Sequence, residues 1–351
     1  MIRLQMNERQ KAVLAALIFV LAPFFGALYL IRPLDIEEDI IEDVVLFEPS
    51  YEQIFIDDML ASIERQAEID RELLDNLDKK IYSFASPYVV LDPYGMTPLS
   101  ALVLFTSDEP LNISIHIAGK TKLADVDFVF DGHNTRHIIP VYGLYADEMN
   151  EVELTAKNEN GVASKNIIRI KTEPLPLELA ENILQTNLLQ PDSYQPGFNF
   201  TFRKNKSSFD VNGEHRWFYN DFELRETTIY GDDRYMFIKN QIIFETNGLG
   251  RILCVYSTYQ EISPKFETSA FDGAMNELEA FQTGDEGCVL VHYVERAFTG
   301  EVVWDAYSLI MGTDVRDLDY RLKRHPLYTL SANNLCIGEP VRNFLAAEVY
   351  Q

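Results

Sequence analysis

The sequence predicts a mainly β protein carried on a single membrane-spanning helix and a helical stalk. Three observations predict it. Between Ser86 and Thr155 short apolar runs alternate with turn residues, as in an antiparallel sandwich. Beyond Pro196 strand–turn–strand units recur at roughly forty residues, the spacing of propeller blades. Ahead of both lies a run of about twenty residues without a charge, Ala12 to Ile31, long enough to cross a bilayer core.

The chain has 351 residues, enough for two modest domains and flanking segments. Its 47% hydrophobic and 12% aromatic content are those of a globular protein. The formal net charge of −25 repels phosphate backbones, so nucleic acid is excluded as a partner. The charge serves solubility, with a cationic partner as the other reading. Cys254, Cys288 and Cys336 are far apart, with no CxxC and no histidine at ligand spacing. No metal site is expected, and Cys254 and Cys288 read as buried thiols in strands; one disulfide remains open outside the cytoplasm.

Residues 1–11 form a short tail with Arg3, Arg9 and Lys11, and 12–31 the transmembrane helix. The basic tail holds the N-terminus in the cytoplasm, which places the bulk of the chain in the periplasm or outside the cell. A cleaved signal peptide is the competing reading, but the run is long and ends in LYLIRP, a poor cleavage site. Residues 32–85 start with the acidic run Asp35 to Asp43 and continue as a helix from Pro49 to Phe84. Ile56, Leu60, Ile63, Ala67, Asp70, Leu74, Leu77 and Ile81 form a heptad seam that Asp70 interrupts. The helix either joins subunits as a coiled coil or lies along the following domain, and the charged seam position favours the second.

Residues 86–173 carry about seven short strands, which suits an immunoglobulin-like sandwich. Turns are expected at Asp92-Pro93-Tyr94-Gly95, Asp108-Glu109-Pro110, Gly119-Lys120 and Asp131-Gly132. Leu111, Ile113, Ile115 and Ile117 alternate with Asn112, Ser114, His116 and Ala118, which puts His116 on the polar side. Residues 174–196 read as a proline-bounded linker with a short helix, and 197–351 as an incomplete propeller-like β region. Phosphate-binding glycine loops, HExxH, G-x-S-x-G and Cys/His nucleophile arrangements are all missing from the sequence. Asn112, Asn199 and Asn205 open glycosylation sequons that matter only in a secreted eukaryotic chain.

The wording of the strands adds to the pattern. DPYGMTPLSALVLF (Asp92–Phe105), ISIHIAGK (Ile113–Lys120) and HIIPVYGLYADEMNEVEL (His137–Leu154) resemble the N-terminal domain of the bacterial aryl-sulfate sulfotransferases. Within it Gly95 and Gly143 serve turns, while Tyr94, Tyr142 and Tyr145 are expected to cover the sandwich edge. The resemblance continues with a D-x-x-G-x-x-R-W strand, Asp210, Gly213, Arg216 and Trp217, and with TGEVVWDAYSLI around Trp304 and Asp305. It implies sulfuryl transfer from an aryl sulfate to a phenol through a histidine relay, with no nucleotide donor and no cofactor. It also implies a phenolic or aryl sulfate ligand, and a homo-oligomer or a related propeller subunit as partner.

The departures from the family decide the functional expectation. Aligning Glu277 and Glu279 on its pattern puts Met275 where an active-site histidine belongs, and methionine can neither donate a proton nor carry a sulfuryl group. A six-bladed propeller needs about 250 residues, so the chain is expected to stop before the nucleophilic histidine. His292 and His325 are the later histidines, and neither stands in the family motif. Arg321, Lys323, Arg324 and His325 form a basic cluster that could hold a sulfate-like anion, although a solvated loop is the simpler reading. No catalytic residue is assigned. The expectation is a membrane-anchored relative without stand-alone catalysis, the alternative an active sulfotransferase, alone or completed by a partner chain.

Overall fold

Strand β2 (Ser100–Ile117) carries the first sheet, because its two halves have different neighbours. In the computed structural model its first half pairs with β1 (Tyr88–Leu91) and β4 (Asn134–Tyr142), and its second half with β3 (Val126–Val129) and β5 (Met149–Asn158). Strand β6 (Ala163–Lys171) pairs with β5. The β2–β4 register shifts between Thr106 and Leu111. Pro110 lies in that interval and has no N–H to give to a ladder. The turn expected at Asp108-Glu109-Pro110 is therefore a break of register inside one continuous strand. Ile113, Ile115 and Ile117 are buried and Asn112, Ser114 and His116 are not, as the alternation predicts.

The structure describes residues 51–180, 183–201, 206–221, 226–229, 234–239, 242–256, 277–285, 288–297, 299, 301–311, 322–325, 327 and 330–343. The expected membrane span at 12–31, the cytoplasmic tail and the acidic segment 32–50 lie outside them. Among the described residues no helix is long and apolar enough to cross a membrane.

Helix α1 (Tyr51–Asp78) ends six residues before the expected Phe84, and Lys80 turns the chain in the left-handed region at φ 55°. Its buried residues are Gln66, Asp70, Leu73 and Leu77, spaced four, three and four apart. The expected seam is thus rotated: Ala67 is exposed, Leu74 only half-buried, and Ile81, beyond the helix, 67% exposed. The face is fixed by polar docking as well as by apolar burial. The Gln66 side chain donates to the Ile252 carbonyl at 2.9 Å and accepts the Ile252 N–H at 2.6 Å, as a neighbouring strand would.

Three further groupings follow, antiparallel except for one pair. Strand β7 (Ile183–Leu188) lies inside the stretch read as a linker, after the short helix α2 (Leu177–Ala180). It forms the edge of a sheet ordered β15-β16-β17-β7, with β15 (Glu277–Asp285), β16 (Cys288–Arg296) and β17 (Val302–Met311). Strands β8 (Phe198–Thr201), β9 (Ser207–Phe209) and β10 (His215–Phe218) are completed by β18 (Leu322–His325). Strands β11 (Glu226–Ile229), β12 (Tyr235–Lys239), β13 (Ile242–Thr246) and β14 (Ile252–Tyr256) are extended by β19 (Arg342–Asn343), which runs parallel to β14. An early strand thus closes the last sheet and late strands close the two earlier ones. Closure of this kind ties distant sequence together at the cost of non-local pairing. One apolar core joins Leu73 and Leu77 of α1, Leu102 and Val141 of the first sheet, and Trp217 and Phe244 of the later ones.

Candidate functional site

The two motif segments of the family resemblance meet. Asp210 Oδ1 accepts the N–H groups of Asn212 (2.9 Å) and Glu214 (3.2 Å), which shapes the β9–β10 turn. Its Oδ2 accepts Arg216 Nη1 at 3.0 Å and the Tyr145 hydroxyl at 3.1 Å. Arg216 is fully buried and reaches into the first domain, donating Nε to the Gly143 carbonyl (2.8 Å) and Nη1 to the Ala124 carbonyl (3.0 Å). Its guanidinium lies 3.8 Å from the centroid of the Tyr145 ring. Gly143, at φ +85°, leaves the space: a Cβ there would come within 2.7 Å of Leu327 Cδ1. Trp217 donates Nε1 to the Gly248 carbonyl at 2.9 Å and stacks on Tyr235.

Burial pushes the Tyr145 phenol up to about 12, so it stays protonated and donates to Asp210. Asn150, from the Asn-x-Val strand, clamps the same loop. It accepts the Tyr145 N–H at 2.7 Å and donates to the Tyr145 carbonyl at 2.9 Å. Among the described residues Arg216 Nη2 finds no hydrogen-bond partner. The arrangement is a buried ion pair whose hydrogen bonds hold two chain segments in register.

The three tyrosines expected at the sandwich edge each hold a different element. Tyr94 donates to Asp70 of α1 at 2.7 Å, and Tyr145 supports Arg216. Tyr142 covers Gly248, where a Cβ would lie 2.8 Å from the ring. Trp304 of the second motif donates to the Val211 carbonyl at 3.2 Å, and Asp305 accepts Asn187 of β7 at 2.8 Å.

Of the basic cluster, Arg324 faces inward. It donates Nη1 to the buried Glu295 at 2.5 Å, and Nε and Nη2 to Asn199 Oδ1 at 3.0 and 2.9 Å, over the Tyr194 ring at 4.0 Å. Lys323 and His325 are placed on β18, opposite Phe200 and Phe198, and Arg321 lies outside the described residues. Asn199, the second sequon, is fully buried. His292 sits on β16 opposite Phe281 and Tyr307, and Glu277 and Glu279 stand on β15. Met275 and the third sequon residue, Asn205, fall outside the described residues.

The other described histidines are scattered. His137 stacks on Phe105 with Nε2 3.1 Å from Ser107 Oγ, and burial lowers it to about 4. His215 is lowered to about 4 by burial as well, and its Nδ1 finds no partner among the described residues. His116 Nδ1 lies 2.8 Å from Asp127, with Asp125 close enough for the three to share a cation, but Asp125 is engaged by the Gly119 N–H at 2.8 Å. Cys254 and Cys336 are free thiols.

A cavity of about 180 Å³ opens between α1, the Tyr94–Met96 turn and the sheet of β12–β14. Its walls are largely apolar: Met59 and Ile69 from α1, Met96 from the turn, and Ile242, Phe244 and Ile252 from the sheet. Most polar groups in the wall are already engaged. Tyr94 is bound to Asp70, Gln66 to Ile252, and Lys239 to Asp221 at 2.8 Å. Tyr219 differs. It is only 2% exposed and lines the cavity, and it takes no part in those contacts. Burial raises it above the ordinary tyrosine range, so it remains a donor. Sequence reasoning passed over Tyr219, although it stands two residues after the motif tryptophan; a phenol in an apolar strand reads as core.

No curated protein matches the chain. Residues 88–173 match the family model of the arylsulfotransferase Ig-like domain, from the first residue of β1 to just past β6. That span is similar to the arylsulfotransferase Ig-like domain, and the match supports a relationship of the chain to the aryl-sulfotransferase family.

Proposed function

We propose that the chain is a membrane-anchored, extracytoplasmic relative of the aryl-sulfate sulfotransferases that recognises a ligand without transferring sulfuryl groups by itself. The observation that carries this is the use made of Asp210 and Arg216. The guanidinium that could steady sulfuryl oxygens is enclosed by Gly143, Ala124 and Asp210. None of His116, His137 and His215 stands in that hydrogen-bonded set, so it offers no nucleophile and no acid for a leaving phenolate. The charge-free run at 12–31 with its basic tail supports the anchor, with the N-terminus inside. The three small sheets support a propeller-like region, and a second copy or a related propeller subunit is the partner proposed for it. A phenol or aryl sulfate is the ligand that the family relationship suggests.

The test is direct. The full chain is incubated with p-nitrophenyl sulfate and a phenol acceptor, and nitrophenol release is followed. No release above the uncatalysed rate is expected. Turnover by the single chain that disappears in a His292→Ala or His325→Ala variant would establish the enzyme instead and name its nucleophile.

A further inference from the structure

We propose that the cavity between α1 and strands β12–β14 binds a single-ring aryl carbonyl compound, an aryl amide or aryl carboxylate, whose carbonyl oxygen accepts the Tyr219 hydroxyl. Size comes first. The cavity holds about 180 Å³, and an apolar void near 150 Å³ accommodates one benzene ring. A ring with one small substituent fits; two fused rings with substituents do not. The walls come next. Met59, Ile69 and Phe244 offer apolar and thioether surface to an arene, and thioethers pack well against ring edges.

The polar inventory then selects the substituent. The Tyr94 hydroxyl, the Gln66 amide and the Ser62 hydroxyl are spent within the protein, Ser62 on the Asp58 carbonyl at 2.8 Å. The group left over is the Tyr219 hydroxyl, a protonated phenol in an apolar wall. A phenol in an apolar wall gains a hydrogen bond from a ligand that brings an acceptor into the cavity. A carbonyl oxygen does this, whereas an ammonium cannot. At the rim Arg65 would favour a carboxylate and Asp58 would oppose it, so amide and acid share one recognition chemistry and differ only there. The site uses none of Asp210, Arg216 and Trp217. It therefore stands or falls apart from the question of sulfuryl transfer.

The full-length chain in lipid nanodiscs is titrated with para-fluorobenzamide and para-fluorobenzoate, followed by fluorine NMR. Saturable binding of both is expected, with para-fluorobenzylamine at least tenfold weaker, or about 1.4 kcal/mol. Tyr219→Phe should weaken both ligands about tenfold, the worth of one buried hydrogen bond. Arg65→Ala should weaken the benzoate alone. Ser62→Trp, on the α1 face of the wall, should abolish both, with an unchanged melting curve showing that the chain is folded. Absence of saturable binding to the unmodified chain would overturn the proposal. So would equal binding of the benzylamine, or a folded Tyr219→Phe or Ser62→Trp variant that binds as the parent does.

Discussion

Asp70 and Arg251, 181 positions apart, form an ion pair with both side chains buried, Nη2 to Oδ2 at 2.6 Å and Nε to Oδ1 at 3.3 Å. The remaining valences are filled. The Tyr94 hydroxyl donates to Asp70 Oδ1, the Gly338 N–H to Oδ2, and Arg251 Nη2 also to the Glu339 carbonyl. The pair thus joins α1, the first domain's Tyr94 turn and the turn that precedes β19. Removing one partner leaves the other charged and buried, which costs about 3–5 kcal/mol. Asp70→Ala should lower the urea midpoint accordingly. The double change Asp70→Leu with Arg251→Met should recover much of that loss, because it leaves no orphan charge. If the single variant melts like the parent, the pair does not anchor α1.

The joint between the two motif segments makes a second prediction. Arg216→Lys keeps the charge but loses the forked donors to Gly143 and Ala124 and the flat face against Tyr145. A loss of about 2–3 kcal/mol in chemical denaturation is expected. Gly143→Ala should be at least as harmful, because φ +85° strains any side chain and its Cβ would press on Leu327. Denaturation curves for the two variants and their combination should add to less than the sum of the singles, since both damage one contact.

These contacts show where the sequence was informative. The alternation in β2 and β5 was legible because burial on one face of a sheet writes itself as period two. The identity of the first domain was legible in Pro140 to Tyr145 and Asp92 to Phe105, whose turns and tyrosines are fixed by what they touch. The sheet order of the later strands was not legible: β7 and β18 reach their partners across more than a hundred residues, and strand pattern carries no partner identity. Asp70 looked like a flaw in a heptad seam because its partner, Arg251, lies in a remote strand. Tyr219 was missed because a phenol next to the buried Trp217 and Phe218 reads as core.

Lys206 supports a third prediction. It is 1% exposed, its ammonium donates to the Asp221 carbonyl at 3.3 Å, and burial lowers it to about 8. A lysine depressed in the fold costs stability at every pH where the unfolded chain holds its proton, and the cost fades as pH rises through 8 toward 10.5. Lys206→Met keeps the length of the side chain and removes the desolvated charge. It should stabilise the chain at pH 7 by about 1–2 kcal/mol, with the gain shrinking at pH 10. Thermal melts of parent and variant at the two pH values give the comparison. A variant less stable than its parent at pH 7 would mean that the Asp221 contact outweighs the burial cost.

Acid should weaken the fold through its histidines before it reaches most carboxylates. His137 is 4% exposed, stacked on Phe105, and lowered by burial to about 4, against 6.5 for a free imidazole. A depressed histidine favours the neutral ring in the folded state. Its contribution is complete above pH 6.5 and is lost as pH falls from 6.5 through 4. His215, lowered to about 4 by the same cause, acts in the same window. Urea midpoints should therefore fall between pH 7.5 and 4.5. His137→Phe keeps the stacking surface and cannot protonate, so it should remove roughly half of that fall, the two rings sharing it evenly. If the variant retains the parent's full acid sensitivity, the imidazole of His137 reaches solvent when it protonates, and the burial that lowers it is not maintained at low pH.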